Sequence, residues 1–334
     1  MVTHKYTYIA VIMGAPPDKV VGLIFREQLP ATPNPKENCA MKNFGNEVTG
    51  VLLASTLREL DDFAFAIRRE TMLELGHLGF GHIGGALSVV ELLAVLYGSA
   101  MQVDPSNPHW EERDWLVFSK GHAGPSLYAA LALKGFFPLE MLKTLNQGGT
   151  KLPSHADRNL TPGIDVSTGS LGQGLSVGLG LATAFALDQK DNTVYVVLGD
   201  GECQEGQIWE AVLYGGNAKL ENLVVFIDYN KQQLDGYIDD INPLGDLKAK
   251  WEEFGWHAQD VDGHDLAAIA AAIDTAKDAK GRSSVIVLHT IKGKGCSFAE
   301  GVALNHHMRF TKEQMDEAVA QLVRERGADH GLES

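Results

Sequence analysis

The stretch from residue 194 to residue 230, VYVVLGDGECQEGQIWEAVLYGGNAKLENLVVFIDYN, restricts the fold of this chain more than any other part of it. Two apolar, β-branched runs, at 194–198 and 223–227, each end abruptly in polar residues, with a helical pattern between them. A strand, a crossover helix and a parallel neighbouring strand need roughly 30 residues, so the spacing predicts a βαβ unit. Asp200 and Asn230 then fall at the carboxyl ends of two parallel strands, the edge where open α/β sheets bind ligands. The expected fold class is α/β, a parallel sheet with helices on both faces.

The residues at those ends have a chemistry of their own. Asp200 lies between Gly199 and Gly201, which let another group approach the backbone, and the helix that follows presents unpaired N–H groups. Such a corner suits a phosphate. An Asp carboxylate and an Asn carbonyl are hard oxygen ligands, and with a main-chain carbonyl and phosphate oxygens they could complete the octahedron of Mg2+. The competing reading is an ordinary βαβ turn with a capping Asp. A dinucleotide fingerprint is disfavoured, because the third glycine of G-x-G-x-x-G would fall on Gln204.

Composition narrows the function classes. The chain has 334 residues, 45% of them hydrophobic, enough for a substantial core. A net charge of -15 repels polyanions, so a nucleic-acid or anionic-membrane role is disfavoured and any diphosphate must be held locally. Cys39, Cys203 and Cys296 are too widely spaced for a disulfide framework or a zinc knuckle, which fits a reducing cytoplasm. The longest apolar run, 175–187, falls short of the roughly 20 residues of a membrane span and reads as a buried helix. Residues 1–55, with the proline-rich linker LPATPNPKEN, show no chemistry and read as an N-terminal extension or as sequence upstream of a start near Met41. Their thin basic region and the Pro16-Pro17 pair argue against a signal peptide.

Between 56 and 334 the pattern alternates helix and strand: an amphipathic helix over 57–75, another helix from about Ser88, a strand over 114–119, and a helix from about Pro125. Later elements are expected at 246–254, 257–261, 266–279 and 284–288, and a final helix over 311–326 is capped by Thr311 with Gln314 at the capping-box position. Glycines flank His82 in GFGHIGG and His122 in KGHAG; the first reads as an exposed turn histidine or a ligand contact, the second as a helix cap or a ligand contact. His155 lies in a proline-bounded loop ahead of Gly169-Ser170-Leu171, and Gly174, Gly178 and Ala182 leave one helix face bare for close packing. His306 and His307 are adjacent, point apart in regular structure, and read as two surface histidines.

GDGECQEGQIWEA followed by NLVVFIDYN resembles the thiamine diphosphate motif in the form carried by transketolases, and the Glu205-Gly206 and Trp209-Glu210-Ala211 signature narrows the match to that family. The resemblance covers residues 56 to about 325. It implies that Asp200, Asn230 and the carbonyl of Gln232 hold Mg2+, and that Gly201 and His122 position the cofactor diphosphate. The backbone of Gly169, Ser170 and Leu171 would touch the thiamine ring, Ser170 standing where many relatives have proline. His82, His155 and His306 would contact the sugar and move protons, His306 also bridging to the diphosphate, with His307 in place of the family's usual glycine. Glu205 would face its symmetry mate across a dimer and link two active sites.

A whole transketolase is about twice this length, and nothing here matches its pyrimidine-binding or third domain. The resemblance therefore implies the N-terminal subunit of a split transketolase. It would act with a separate C-terminal subunit, pair again into a heterotetramer, and move a two-carbon ketol unit between sugar phosphates. Two alternatives stand beside it: another thiamine diphosphate enzyme, such as a deoxyxylulose-phosphate synthase or a transketolase for apulose phosphate or a sulfosugar, and an inactive cofactor-binding scaffold.

Overall fold

The computed structural model of the chain describes residues 46–329, so the expectations for the proline-rich segment lie outside the described residues. Helix α1 (Asn46–Leu78) is longer than expected. Leu60, Ala64, Ile67, Met72 and Leu75 bury one face of it, and Gly79 ends it in a left-handed turn (φ 81°) whose N–H returns to the Leu75 carbonyl at 2.8 Å. A two-residue strand β1 (Phe80–Gly81) follows. The helix expected from Ser88 is instead broken into α2 (Ile83–Leu87), α3 (Val90–Val95) and a π-helical turn over Leu96–Ala100. Gly84 and Gly85 supply no side-chain support there, and the Ser88 hydroxyl bonds both the Gly85 carbonyl and Asp228 rather than facing solvent.

The sheet elements are β2 (Trp115–Phe118), β3 (Val194–Gly199), β4 (Leu223–Tyr229), β7 (His257–Asp262) and β8 (Ser284–His289). They run β2-β3-β4-β8-β7, all parallel. Between β4 and β7 lie the short ribbon β5 (Gln232–Gln233) and β6 (Gly236–Tyr237), α7 (Ile238–Ile241) and α8 (Leu247–Glu253). The other helices are α4 (Gly124–Lys134), α5 (Gly174–Leu187), α6 (Gly206–Ala218) and α9 (Leu266–Asp278). Strand β9 (Met308–Arg309) pairs antiparallel with β1, and α10 (Lys312–Asp329) closes the order.

Both sheet faces are covered, as the near-continuous apolar strands require. Tyr195, Val197, Val224 and Phe226 pack with α1, α3, α4 and α9 in one core cluster. Val194, Val196, Val225 and Ile227 pack with α5, α6 and α8 in the other. Strand β2 thus leads to a helix on one face and β3 to a helix on the opposite face. The chains diverge at their carboxyl ends and open a crevice there.

One expectation fails in an informative way. Helix α5 buries Leu175, Gly178, Leu179 and Ala182, but Val177 is 41% exposed and Leu187 79%. Beside it on α6, Leu213 is 61% exposed and Tyr214 49%. The run is apolar on all sides, yet this chain covers only one of them. No helix among the described residues is long and apolar enough to cross a membrane.

Candidate active site

The crevice is built by loops that leave three neighbouring strands. After β3 the chain turns at Gly199-Asp200-Gly201 into a 3-10 turn, and Asp200 is buried. Its Oδ1 accepts the Gly201 N–H at 2.7 Å, and its Oδ2 accepts the Lys231 N–H, beyond the end of β4, at 2.6 Å. Lys231 takes a left-handed conformation (φ 66°), which turns Asn230 and Gln232 toward the same space. Asn230 Nδ2 donates to Asp228 at 2.9 Å, fixing which end of the amide is oxygen, and Oδ1 accepts the Gln232 N–H at 3.1 Å.

Asp200, Asn230 and Gln232 line a cavity of about 350 Å3 together with Gly201, His122, Leu171, Glu205 and His306. Gly169 and Ser170 lie next to Leu171 but outside the lining; Ser170 is exposed, and a Cβ on Gly169 would stand 3.0 Å from His155 Cδ2. A larger cleft of about 770 Å3 opens among Asn107, Trp110, Glu111 and Asn192, at the amino end of the sheet. It gathers none of the motif residues, so we place the chemistry in the smaller cavity.

Of the histidines, His122 and His306 line the smaller cavity, while His82 and His155 lie outside the lining and join them through ring contacts. The His82 ring is 5.6 Å from His122, 5.9 Å from His155 and 5.4 Å from His306, and His122 is 4.8 Å from His306. His82 follows β1 and His306 precedes β9, so pairing of those two short strands joins segments more than 200 residues apart. The expectation of two surface histidines at 306 and 307 is corrected. The chain bends there, His306 lines the cavity, and His307, exposed, stands 4.9 Å from His82.

Burial, with the neighbouring His307 and His155, lowers His82 to about 4. Burial, with Lys292 and His82, lowers His306 to about 3, and burial followed by Lys120 holds His122 well below the usual range. All three are neutral at pH 7, each offering one N–H donor and one acceptor nitrogen.

Four charged residues of the site escaped the sequence reading. Lys120 is buried, pairs with the buried Asp228 and donates to the Gly85 carbonyl at 2.9 Å. Asp228 also accepts from Thr290 and from Ser88. Burial alone would raise Asp228; Lys120 and these donors outweigh it and hold the group below the ordinary carboxylate range. Lys292, lowered to about 8 by burial, rests on the Gln232 carbonyl at 3.2 Å. Glu202 accepts the Gly172 and Gly199 N–H groups at 2.9 and 3.0 Å and bonds Ser119, which sets the 169–172 loop against the turn after β3. The signal for Lys120 and Asp228 was a charge at the end of each of two apolar strands; their pairing depended on a register that the sequence does not display.

The donor set fits a hydrated hard cation bound with a diphosphate. Among the described residues no three His, Cys, Asp or Glu side chains come together as a metal cluster, so the protein offers one carboxylate, one amide oxygen and one main-chain carbonyl, with positions left for anion oxygens and water. Burial, then the Asp228 charge, pushes Asp200 up to about 7, and a nearby cation would relieve both effects. Gln232 Oε1 is buried in the same cavity without a partner.

The family model for the transketolase thiamine diphosphate binding domain matches residues 61–329. The chain is 54% identical over 267 residues to the 6-deoxy-6-sulfo-D-fructose transketolase subunit SqwG of Clostridium sp. (strain MSTE9), covering 80% of this chain and 97% of that protein. It is 40% identical to an apulose-4-phosphate transketolase subunit of Phocaeicola vulgatus, covering 72% and 86%. Among solved structures, the transketolase of Campylobacter jejuni superposes with a TM-score of 0.75 at 30% identity, over 80% of this chain and 43% of that one. The family match spans the segments that build the crevice after β3 and β4, and this chain belongs to the transketolase family as a subunit built on its thiamine diphosphate-binding domain.

Proposed function

We propose that the chain holds the metal and diphosphate of thiamine diphosphate while a separate subunit supplies the pyrimidine-binding half of the active site. The observation that carries this reading is the meeting of Asp200, Asn230 and Gln232 in one cavity at the ends of β3 and β4. In this reading Asp200 Oδ, Asn230 Oδ1 and the Gln232 carbonyl hold Mg2+, and the Gly201 backbone, His122 and Lys292 hold the diphosphate. Backbone of Gly169, Ser170 and Leu171 borders the thiamine ring. When bound, the cofactor supplies the nucleophilic carbon and the electron sink for cleavage of the ketose C2–C3 bond.

The protein's own part is binding and proton handling. His82, His155 and His306 hydrogen-bond sugar hydroxyls, and the lowered basicity of His82 and His306 keeps each able to accept a proton at one nitrogen while donating at the other. Glu205, exposed at the cavity edge, faces a second copy of itself in the assembled enzyme. The bare apolar face of α5 and α6 is covered in that assembly, a heterotetramer of two copies of each subunit.

The donor is a ketose bearing a terminal oxyanion. Identity of 54% across nearly the whole of a sulfofructose transketolase subunit favours 6-deoxy-6-sulfo-D-fructose, and 40% identity to an apulose-4-phosphate transketolase subunit makes a branched ketose phosphate the second reading. The reconstituted pair, given equal concentrations of sulfofructose, apulose 4-phosphate and xylulose 5-phosphate with a common aldose acceptor, is expected to show the highest kcat/KM for the sulfonate. Preference for xylulose 5-phosphate would overturn the donor assignment and leave the cofactor site intact.

A further inference from the structure

The turn that follows β8 is held residue by residue. The Ile291 N–H donates to His264 Nε2 at 2.8 Å, and the Lys292 carbonyl accepts the Asn305 amide at 3.0 Å. Gly293, left-handed at φ 82°, donates its N–H to the Gly84 carbonyl at 3.0 Å, and the Lys294 carbonyl accepts from Arg68. Asn305 and Gly84 belong to the loops of His306 and His82. His264 and Arg68 line no part of the cavity, yet with Glu91 they form one largely buried network. Arg68, on α1, pairs with Glu91 of α3 and donates to the Leu87 carbonyl at 2.9 Å; the other Glu91 oxygen stands 3.1 Å from His264 Nδ1. Because Nε2 accepts a backbone N–H, the ring proton sits on Nδ1 and is donated to Glu91. Burial alone would raise Glu91; Arg68, then His264, outweighs it and holds the carboxylate below the ordinary range. His264 is itself placed by the turn after β7, where its backbone N–H donates to Asp262 at 2.9 Å and a Cβ on Gly263 would lie 2.3 Å from Thr290 Cγ2. Glu91 thus orients His264 on Ile291, one residue before Lys292.

We propose that His264, oriented by Glu91 and Arg68, is a positioning residue that presents Lys292 to the diphosphate of the cofactor. The inference rests on the thiamine diphosphate reading and adds to it residues that the cavity itself does not contain. Of residues 291–294, Lys292 lines the cavity, and its Nζ stands 3.2 and 3.4 Å from the Gln232 and Gln233 carbonyls. Lysine is a point charge on a flexible stem, so its aim depends on how firmly the backbone beneath it is held. The chain's charge of -15 provides no general attraction for an anion, so its capture depends on local cations that are well placed. Loss of the Ile291 anchor would release the peptide on the N-terminal side of Lys292, while the Asn305 and Gly84 bonds keep the rest of the turn in place.

Two measurements test it. Hydrogen exchange of the full chain without cofactor reads the brace directly: in His264→Ala the amides of residues 291–293 should exchange about tenfold faster, with those of β4 unchanged. Calorimetric titration of the complex of this chain with its partner, using thiamine diphosphate and Mg2+, reads the consequence. His264→Ala should weaken cofactor binding about fivefold to tenfold, and His264→Gln, whose amide oxygen can take the Ile291 N–H, should recover part of the loss. The loss should vanish in a Lys292→Met background, because residues that act through one group are not additive. The same fold loss in both backgrounds would reduce His264 to general support of the fold and overturn the proposal, as would unchanged exchange at 291–293. Should His264→Ala fail to fold, Glu91→Gln, which keeps the shape of that side chain, supplies the same comparison. Exchange does not depend on the cofactor, so a native complex that binds no thiamine diphosphate counts against the proposed function and not against the brace.

Discussion

Lys120 Nζ and the Asp228 carboxylate form an ion pair whose side chains are 1% and 0% exposed, and Lys120 also lines the cavity of Asp200, Asn230 and Gln232. Such a pair stabilises little when intact, because desolvation of both charges offsets their attraction, but a single survivor left buried is strongly unfavourable. Lys120→Met should therefore lower the free energy of unfolding by about 3–5 kcal/mol in urea titrations. The double variant Lys120→Met/Asp228→Leu should recover a clear part of that loss, whereas equal losses in the single and double variants would show that the pair is not the cause.

Removal of either proposed metal ligand should uncouple cofactor binding from stability. With the partner present, thiamine diphosphate and Mg2+ together are expected to raise Tm, since a ligand that binds only the native state stabilises it by mass action. Asp200→Asn, Asn230→Ala or a chelator should abolish most of that rise and weaken apparent cofactor affinity by roughly tenfold to a hundredfold, the range seen when metal sites are disturbed. An unchanged shift in Asp200→Asn would place the metal elsewhere.

The neutral histidine cluster gives stability a direction with pH. His82 and His306 titrate at about 4 and 3 in the folded chain, and His122 is lowered as well, against about 6.5 when unfolded. The unfolded state therefore binds more protons across this window. The clustered histidines contribute fully above pH 6.5, and that contribution is lost as pH falls through 6.5 toward 4 and then 3. Tm measured from pH 7.5 to 4.5 should fall more steeply for the native chain than for His82→Gln/His306→Gln; parallel curves would contradict the burial of these rings as neutral groups.

Gly84 is a contact point between the two histidine loops. Its N–H donates to the Asn305 carbonyl at 3.0 Å, and a Cβ there would lie 2.5 Å from that oxygen and 2.6 Å from Asn305 Oδ1. Asn305 is itself held by its amide, which donates to the Lys292 and Ala299 carbonyls at 3.0 and 2.7 Å. Gly84→Ala should cost about 1–3 kcal/mol, as overpacking does, and displace His306 from His82 in a crystal structure. A variant as stable as the parent would mean that the loops separate without effort.

How much of this was legible beforehand follows from what each signal depends on. Strands β3 and β4 were readable within two residues because uninterrupted β-branched runs ending in Gly-Asp or Asp-Tyr-Asn have few other uses. The four histidines and the residues assigned to the metal were picked out through a motif; the structure gathers three of the rings around His82 and lines one cavity with Asp200, Asn230, Gln232, His122 and His306. The pairing of Lys120 with Asp228 was not readable, since it depends on which strands are neighbours and in what register. Helix α5 misled for a different reason. An apolar surround signals burial without saying against what, and here the uncovered side at Val177 and Leu187 is available to another chain.

That uncovered side yields its own test. Val177→Glu and Leu213→Glu place a charge on exposed apolar surface, so the isolated chain should keep its Tm within a few degrees. Light scattering of the mixture with the partner should show the assembly reduced in mass. Full assembly in both variants would assign this face to solvent.

Ketol transfer by this chain alone, by its partner alone and by the two mixed, each with thiamine diphosphate and Mg2+, tests the central claim most directly. The claim predicts activity only in the mixture, with a rate that saturates at a one-to-one ratio. Activity in this chain alone would contradict the division of the active site between two subunits, and an inactive mixture that nonetheless assembles and binds the cofactor would contradict its role in ketol transfer.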